Sequence, residues 1–293
     1  MQQDELNQFR RASLEARILV LKTAKRVSGA HIGGIFSSLD FFICLLLYLK
    51  KNGATYEQDA HRLEGRIHGI DLEHEFHFVM SKGHCYLSLL ACLDVVFGSS
   101  YTDSYLVPGT PFFGHPKRIE ASNVFTVSSG SLGQGITFAN GLALSNHLRE
   151  SSGLVMTLCG DGEFNEGAVS EALTFAGHHK LNHVIFVDNN NQMSLDSTSN
   201  IHNNGDVVSR FIGLIPNSSK IDGHCHETLI ENLDQIFKSN EMGPRLIDLT
   251  TIKGSGISFM EGVTKWHHRR FKGNEYEDAL AELEKALLER SAT

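Results

Sequence analysis

Tryptophan occurs once in this sequence, and proline and cysteine five times each. The thiols at 44, 85, 92, 159 and 225 are an odd number and form no CxxC pair, which argues against a disulfide framework and for buried, reduced cysteines. No apolar run approaches a membrane span; the nearest, Leu39–Leu49, is about one core helix long. The opening residues, MQQDELNQFRR, lack the apolar core of a secretory signal, so a cytoplasmic chain with no membrane partner is expected. Positive charge is scarce as well, with 26 Lys and Arg against 34 Asp and Glu and a net charge of −8. That balance excludes a nucleic-acid surface but not phosphate ligands, which need only local positive potential. Histidine, by contrast, is abundant at sixteen. Four of these lie in His61–His77 without a metal-ligand repeat such as HExxH, and read as surface and loop residues.

What is present is the pattern of an α/β protein. With 293 residues, 41% of them hydrophobic and 20% charged, the chain suits one elaborated domain spanning 1–293. The stretch from Gly160 to Asp196 organises it. An apolar run, Leu154–Cys159, ends at Gly160-Asp161-Gly162; a helix-like segment follows; a second apolar run, His183–Val187, ends in Asp188 and three asparagines. In a parallel βαβ unit both strand ends fall on one edge of the sheet, where open α/β folds bind ligands. Asp161 and Asn191, thirty positions apart, then stand side by side. A carboxylate, an amide oxygen and loop carbonyls suit a hard cation such as Mg²⁺ or Ca²⁺, which commonly arrives with phosphate oxygens.

Around this centre the chain offers further polar turns. Residues 4–27 have the apolar spacing of an amphipathic helix, followed by Ser28-Gly29-Ala30-His31-Ile32-Gly33-Gly34, read as a turn. Ser37 or Ser38 is placed to cap a buried helix over Leu39–Lys51. Residues 52–76 read as a long polar loop, His77–Met80 as a short strand, and Ser81-Lys82-Gly83-His84 as the turn into a helix over Cys85–Val96. Then come Phe113-Gly114-His115-Pro116 and the glycine-rich Ser128–Gly135, leading into a small-residue helix. Residues 197–224 read as irregular, Glu227–Lys238 as a helix, Arg245–Ile252 as a strand and Glu275–Arg290 as a final helix.

Taken together, GDG…NN, SGAHIGG, SKGH, FGHP, SGSLGQG, DGH and KGSGISFME…WH resemble the signature elements of the transketolase family, in one unbroken order over about residues 5–290. Two departures stand out: an alanine between Gly29 and His31, and His268 where a glycine is usual. The resemblance covers only the diphosphate-binding domain, so it implies a parallel sheet flanked by helices and the N-terminal subunit of a split transketolase. It implies thiamine diphosphate as cofactor, with Asp161, Asn191 and the Met193 carbonyl as metal ligands. Gly162 and His267 would contact the diphosphate with His84 nearby, and Gly130 and Leu132 would meet the cofactor rings. His31, His84, His115 and His267 would line a channel for sugar phosphates, and Glu166 would lie at the subunit interface. The implied reaction moves a two-carbon ketol unit from a ketose phosphate to an aldose. The implied partner carries the pyrimidine and C-terminal domains, in an α2β2 heterotetramer, and without its glutamate this chain is expected to be inactive. Rival readings are an alpha-type subunit of a 2-oxo acid dehydrogenase, a 1-deoxyxylulose-phosphate-synthase-like chain, or a non-catalytic cofactor-binding module. The SKGH, FGHP and WHH elements fit the first poorly.

Overall fold

A computed structural model describes residues 3–53, 55–56, 67–68, 76–118, 127–191 and 206–291. Helix α1, Gln3–Arg26, has the expected apolar stripe, with Leu6, Phe9, Leu14, Ile18, Leu21 and Ala24 buried. Asp4 and Glu5 in its first turn and Lys25 and Arg26 in its last complement the helix dipole.

Helix α2, Ile32–Lys51, begins well before Leu39 and absorbs the glycines expected to form a turn. Its N-cap is His31, and no side chain bonds there, so neither Ser37 nor Ser38 caps it. Gly33 and Gly34 serve close approach instead: a Cβ on Gly33 would lie 2.7 Å from Cγ of Lys253, and one on Gly34 2.7 Å from Sγ of Cys85. The earlier start makes α2 a 20-residue apolar helix, long enough to cross a bilayer, but its residues from Ile32 to Leu49 are all buried within the fold.

The polar stretch after α2 contains a two-residue antiparallel ladder, β1 Thr55–Tyr56 with β2 Ile67–His68, too short for any sequence pattern to register. The remaining elements are β3 Phe76–Met80, α3 Leu87–Phe97, α4 Tyr101–Ser104, α5 Gln134–Leu148, β4 Leu154–Gly160 and α6 Gly167–His179. They continue with β5 His183–Asn189, α7 Val207–Phe211, β6 Ser218–Asp222, α8 His226–Lys238, β7 Arg245–Thr250 and α9 Glu275–Ser291. Both α7 and β6 fall where the sequence reads as irregular. Ser218-Ser219-Lys220-Ile221-Asp222 is polar and partly exposed because β6 is an edge strand, which needs no apolar alternation.

Five strands form one parallel sheet in the order β3-β4-β5-β7-β6. Strands β4 and β5 are buried along their whole length, as expected of a parallel sheet covered on both faces. Met156, Leu158, Val184, Phe186, Ile247 and Leu249 point into the large core built by α1, α2, α3 and α8. Their alternates Cys159, Ile185, Val187 and Leu246 pack under α6 and α7, and Val155 packs under α5 and α6. The registers Met80↔Leu158, Gly160↔Asp188 and Asn189↔Thr250 bring the C-terminal ends of neighbouring strands to one edge.

Candidate active site

The motif-bearing turns emerge at that edge. Asp161 follows β4 directly, and its N–H donates to the Asp188 carbonyl at 3.3 Å, so the acidic turn and the amide turn are neighbours. The three asparagines differ sharply. Asn189 is buried; its amide donates to Asp248 at 2.9 Å, and its Oδ1 accepts from the Asn191 N–H at 3.1 Å. Asn191 stands exposed at φ 53°, a left-handed conformation that asparagine tolerates better than most residues. Between them, Asn190 holds a buried Oδ1 with no hydrogen-bond partner among the described residues. Met193 lies outside the described residues. Among these, no three His, Cys, Asp or Glu side chains cluster to hold a metal.

Behind the edge lies a buried basic floor that sequence reasoning left as a helix-start detail. The Lys82 ammonium donates to Asp188 Oδ2 at 2.5 Å and to the Gly34 carbonyl at 3.0 Å. Burial works against this charge, but Asp188, with smaller help from Cys85 and Asp161, outweighs it, and the Lys82 pKa is raised. Asp188 is fully buried and also accepts from Ser37 at 2.7 Å and Thr251 at 2.5 Å, so Ser37 ties α2 to β5 rather than capping a helix. Lys253 is the second buried cation, with its pKa lowered by burial while Asp161 opposes the shift.

Three of the four expected channel histidines form one cluster. His31 lies 4.9 Å from His84 and 5.4 Å from His267 between ring centroids, and His84 lies 5.5 Å from His267. They come from the start of α2, the 3-10 turn Gly83–Cys85 and the end of the 3-10 turn Thr264–Trp266. His268, the sequence departure, joins them with its ring 4.4 Å from His31. His115 stands more exposed on its own loop, beside the Gly-rich turn. Burial, then neighbouring imidazoles, lowers the His31 pKa to about 3. Burial and the Lys82 charge lower His84 to about 2, and burial with Lys253 and Lys82 lowers His267 to about 4. All three are therefore neutral near pH 7, each with one ring nitrogen able to donate and one able to accept.

The Gly-rich turn closes the arrangement. Gly130 adopts φ 154°, and a Cβ there would reach within 3.2 Å of the His115 ring. Leu132 is exposed, and Glu166, the N-cap of α6, is exposed on the outside of the same wall. A Cβ on Gly133 would lie 3.1 Å from Cβ of Glu166, so the Gly-rich turn and the Glu166 turn are in contact. Gly162 sits in the turn between them and β4, its N–H donating to Asp161 Oδ1 at 2.8 Å. Sequence reasoning missed Glu163, a buried carboxylate in this wall, because a glutamate after a GDG turn looks like a solvent-facing helix-start residue. It likewise passed over Asp40, which pairs with Arg17 and, at 2.7 Å, with His224 of the DGH turn.

Fold and edge define a parallel α/β domain whose C-terminal sheet edge gathers turns from many separate stretches of chain. Residues 71–284 match the family model described as "Transketolase, thiamine diphosphate binding domain". The 6-deoxy-6-sulfo-D-fructose transketolase subunit SqwG of a Clostridium species is 30% identical over 92% of this chain and 94% of its own length. One of the named subunits of the apulose-4-phosphate transketolase of Phocaeicola vulgatus is 26% identical over 89% of each chain. Among solved structures, transketolase from Campylobacter jejuni superposes with a TM-score of 0.79 at 22% identity, covering 98% of this chain but 43% of that one. The chain belongs to the transketolase family, matches its thiamine diphosphate-binding domain, and spans less than half the length of the solved transketolase it superposes on.

Proposed function

We propose that this chain is the N-terminal subunit of a two-chain transketolase, which transfers a two-carbon ketol unit from a ketose phosphate to an aldose. The observation that carries the reading is the convergence at one sheet edge of hard oxygen donors, two buried lysines and a cluster of neutral imidazoles. The family supplies thiamine diphosphate as the cofactor, and the residues present fit it. Asp161 and Asn191 offer a carboxylate and an amide oxygen suited to Mg²⁺ or Ca²⁺, and the orphaned Asn190 Oδ1 beside them is a further oxygen acceptor at the same edge. Lys82 and Lys253 supply the positive potential that a diphosphate needs within a chain of net charge −8.

When bound, thiamine diphosphate supplies a carbon nucleophile and an electron sink for carbon–carbon cleavage. The chain's own residues do the rest of the work on this side of the site. Gly162 and His267 hold the diphosphate, while Gly130 and Leu132 form the wall against the rings. His31, His84, His115 and His267 hydrogen-bond the sugar hydroxyls. Neutral imidazoles can also take a proton at one nitrogen while releasing one at the other. Glu166, exposed at the N-cap of α6, faces the partner chain. That partner would bring the pyrimidine and C-terminal domains, giving an α2β2 heterotetramer in the cytoplasm. Relatives named as subunits of transketolases for apulose-4-phosphate and for a sulfonated fructose support both the two-chain organisation and an anionic sugar as substrate.

Purified together with its partner, the chain should transfer ketol units only when thiamine diphosphate and Mg²⁺ are present. Alone it should be inactive. Asp161→Ala should abolish the metal dependence together with the activity. Ketol transfer by the single chain, or full activity in the Asp161→Ala complex, would sink the proposal.

A further inference from the structure

Glu163 is only 2% exposed, yet no cation lies within salt-bridge distance of it among the described residues. Its carboxylate instead collects three hydrogen bonds from three turns. Oε1 accepts from the Ser81 hydroxyl and from the Gly133 N–H, the latter at 2.8 Å. Oε2 accepts from the Gly160 N–H at 3.1 Å. Ser81 follows β3, Gly160 ends β4, and Gly133 precedes α5 at φ 79°. A buried carboxylate is costly unless its lone pairs are filled, and three donors from separate segments are a specific way to fill them. Burial pushes the Glu163 pKa up, while the Ser81 hydroxyl and the two amides work the other way.

The turn that Glu163 holds is the wall carrying Gly130 and Leu132, and the strand end it holds leads directly into Asp161. A second bond runs in parallel, from the Ser129 hydroxyl to the Met80 carbonyl at 2.5 Å. Ser129 fastens that wall to β3 alone, whereas Glu163 fastens it to β3 and β4 together.

We propose that Glu163 is a positioning residue that fixes the spacing between the Gly-rich wall at 128–135 and the acidic turn at 160–162, so that the cofactor cradle is formed before the cofactor arrives. This rests on the thiamine diphosphate reading of the site. Glu163→Gln tests it at constant volume. A glutamine has one acceptor oxygen, and turning that oxygen toward Ser81 and Gly133 sets its NH₂ group against the Gly160 N–H, donor against donor.

The experiment measures binding of thiamine diphosphate with excess Mg²⁺ to the full chain, followed through the fluorescence of Trp266, the neighbour of His267. Thermal unfolding of the cofactor-free protein and hydrogen exchange at the Gly133 and Gly160 amides are recorded alongside. The expected result is a folded Glu163→Gln chain whose Gly160 amide exchanges faster and whose affinity for the cofactor falls about tenfold or more. Ser81→Ala, which removes one donor and leaves both amides bound, should move affinity in the same direction by less. Wild-type affinity in Glu163→Gln overturns the proposal. So does a fall in unfolding temperature with no loss of affinity in the folded protein, which marks a merely structural role. If the wild-type chain alone, which holds one side of the site, binds no thiamine diphosphate, the titration is repeated on the complex co-purified with the partner, and absence of binding there is what fails the cofactor reading. The clamp is then judged by exchange alone: faster exchange at the Gly160 amide upholds it, and unchanged exchange there refutes it.

Discussion

Replacing Lys82 by methionine removes the cation from the most deeply buried ion pair of the site. Met keeps the length and apolar stem of the side chain, so the change is chiefly one of charge. In the wild type, Asp188 Oδ2 takes bonds from Lys82 at 2.5 Å and Ser37 at 2.7 Å, while Oδ1 takes one from Thr251 at 2.5 Å. Without the ammonium, a fully buried carboxylate keeps two hydroxyl donors but loses its directly bonded counter-charge, with the more distant Lys253 left to oppose it. Breaking a buried pair in this way costs about 3–5 kcal/mol. At about 2.1 cal/mol/K per residue of unfolding entropy, over 293 residues, that lowers Tm by about 5–8 °C. Urea unfolding of wild type, Lys82→Met, Asp188→Asn and the double variant gives the coupling directly. The double variant should be more stable than Lys82→Met alone, because an uncharged amide accepts from one of the Ser37 and Thr251 hydroxyls through its oxygen and donates to the other through its NH₂ group. A loss below about 1 kcal/mol in Lys82→Met, or a double variant no better than the single, would refute the reasoning.

Two further predictions follow from the buried polar groups. His31, His84 and His267 have folded pKa values lowered to about 3, 2 and 4, whereas the unfolded chain titrates near 6.5. Between those limits the unfolded state binds more protons, so stability is fully present above about pH 6.5 and falls as pH drops below it. The urea midpoint should decrease from pH 7.5 to 5.5, and a midpoint constant over that range would contradict the assignment of neutral imidazoles. Asp40→Asn leaves the Arg17 guanidinium, 2.8 Å from Asp40 Oδ2 in the wild type, buried without its counter-ion. It should destabilise by about 3 kcal/mol or more in calorimetry. Because Arg17 also donates to the Ser255 carbonyl at 2.9 Å, the turn after Lys253 should show faster hydrogen exchange in the same variant.

Reading the sequence was most successful where one physical signal ran uninterrupted. Strands β4 and β5 are continuous apolar runs closed by a glycine or an asparagine, and α1, α8 and α9 have helical spacing over many turns. The start of α2 was not legible, because Gly33 and Gly34 look like turn formers and their real use is close packing on Lys253 and Cys85. Strand β6 was hidden by the polarity that an edge position permits. At the site, residues in short glycine-bounded motifs could be named in advance, and His31, His84 and His267 do meet. The groups behind them could not. Asp188, Ser37, Thr251 and Glu163 are polar residues whose burial depends on contacts between segments far apart in sequence, and no local pattern distinguishes a buried carboxylate from a solvated one.

The bonds that hold both oxygens of Asp188 have a thermodynamic corollary. Its position before the asparagine turn would make it an obvious second anionic ligand, yet three donors already hold its oxygens. On the proposed reading, a divalent ion at this edge would meet little protein charge beyond Asp161 without the diphosphate, and the diphosphate would lack its full neutralisation without the ion. Cation and cofactor would then be linked ligands in the strict sense: each would tighten the other by the same factor. Occupancy of the site would follow the product of their concentrations more closely than either one alone.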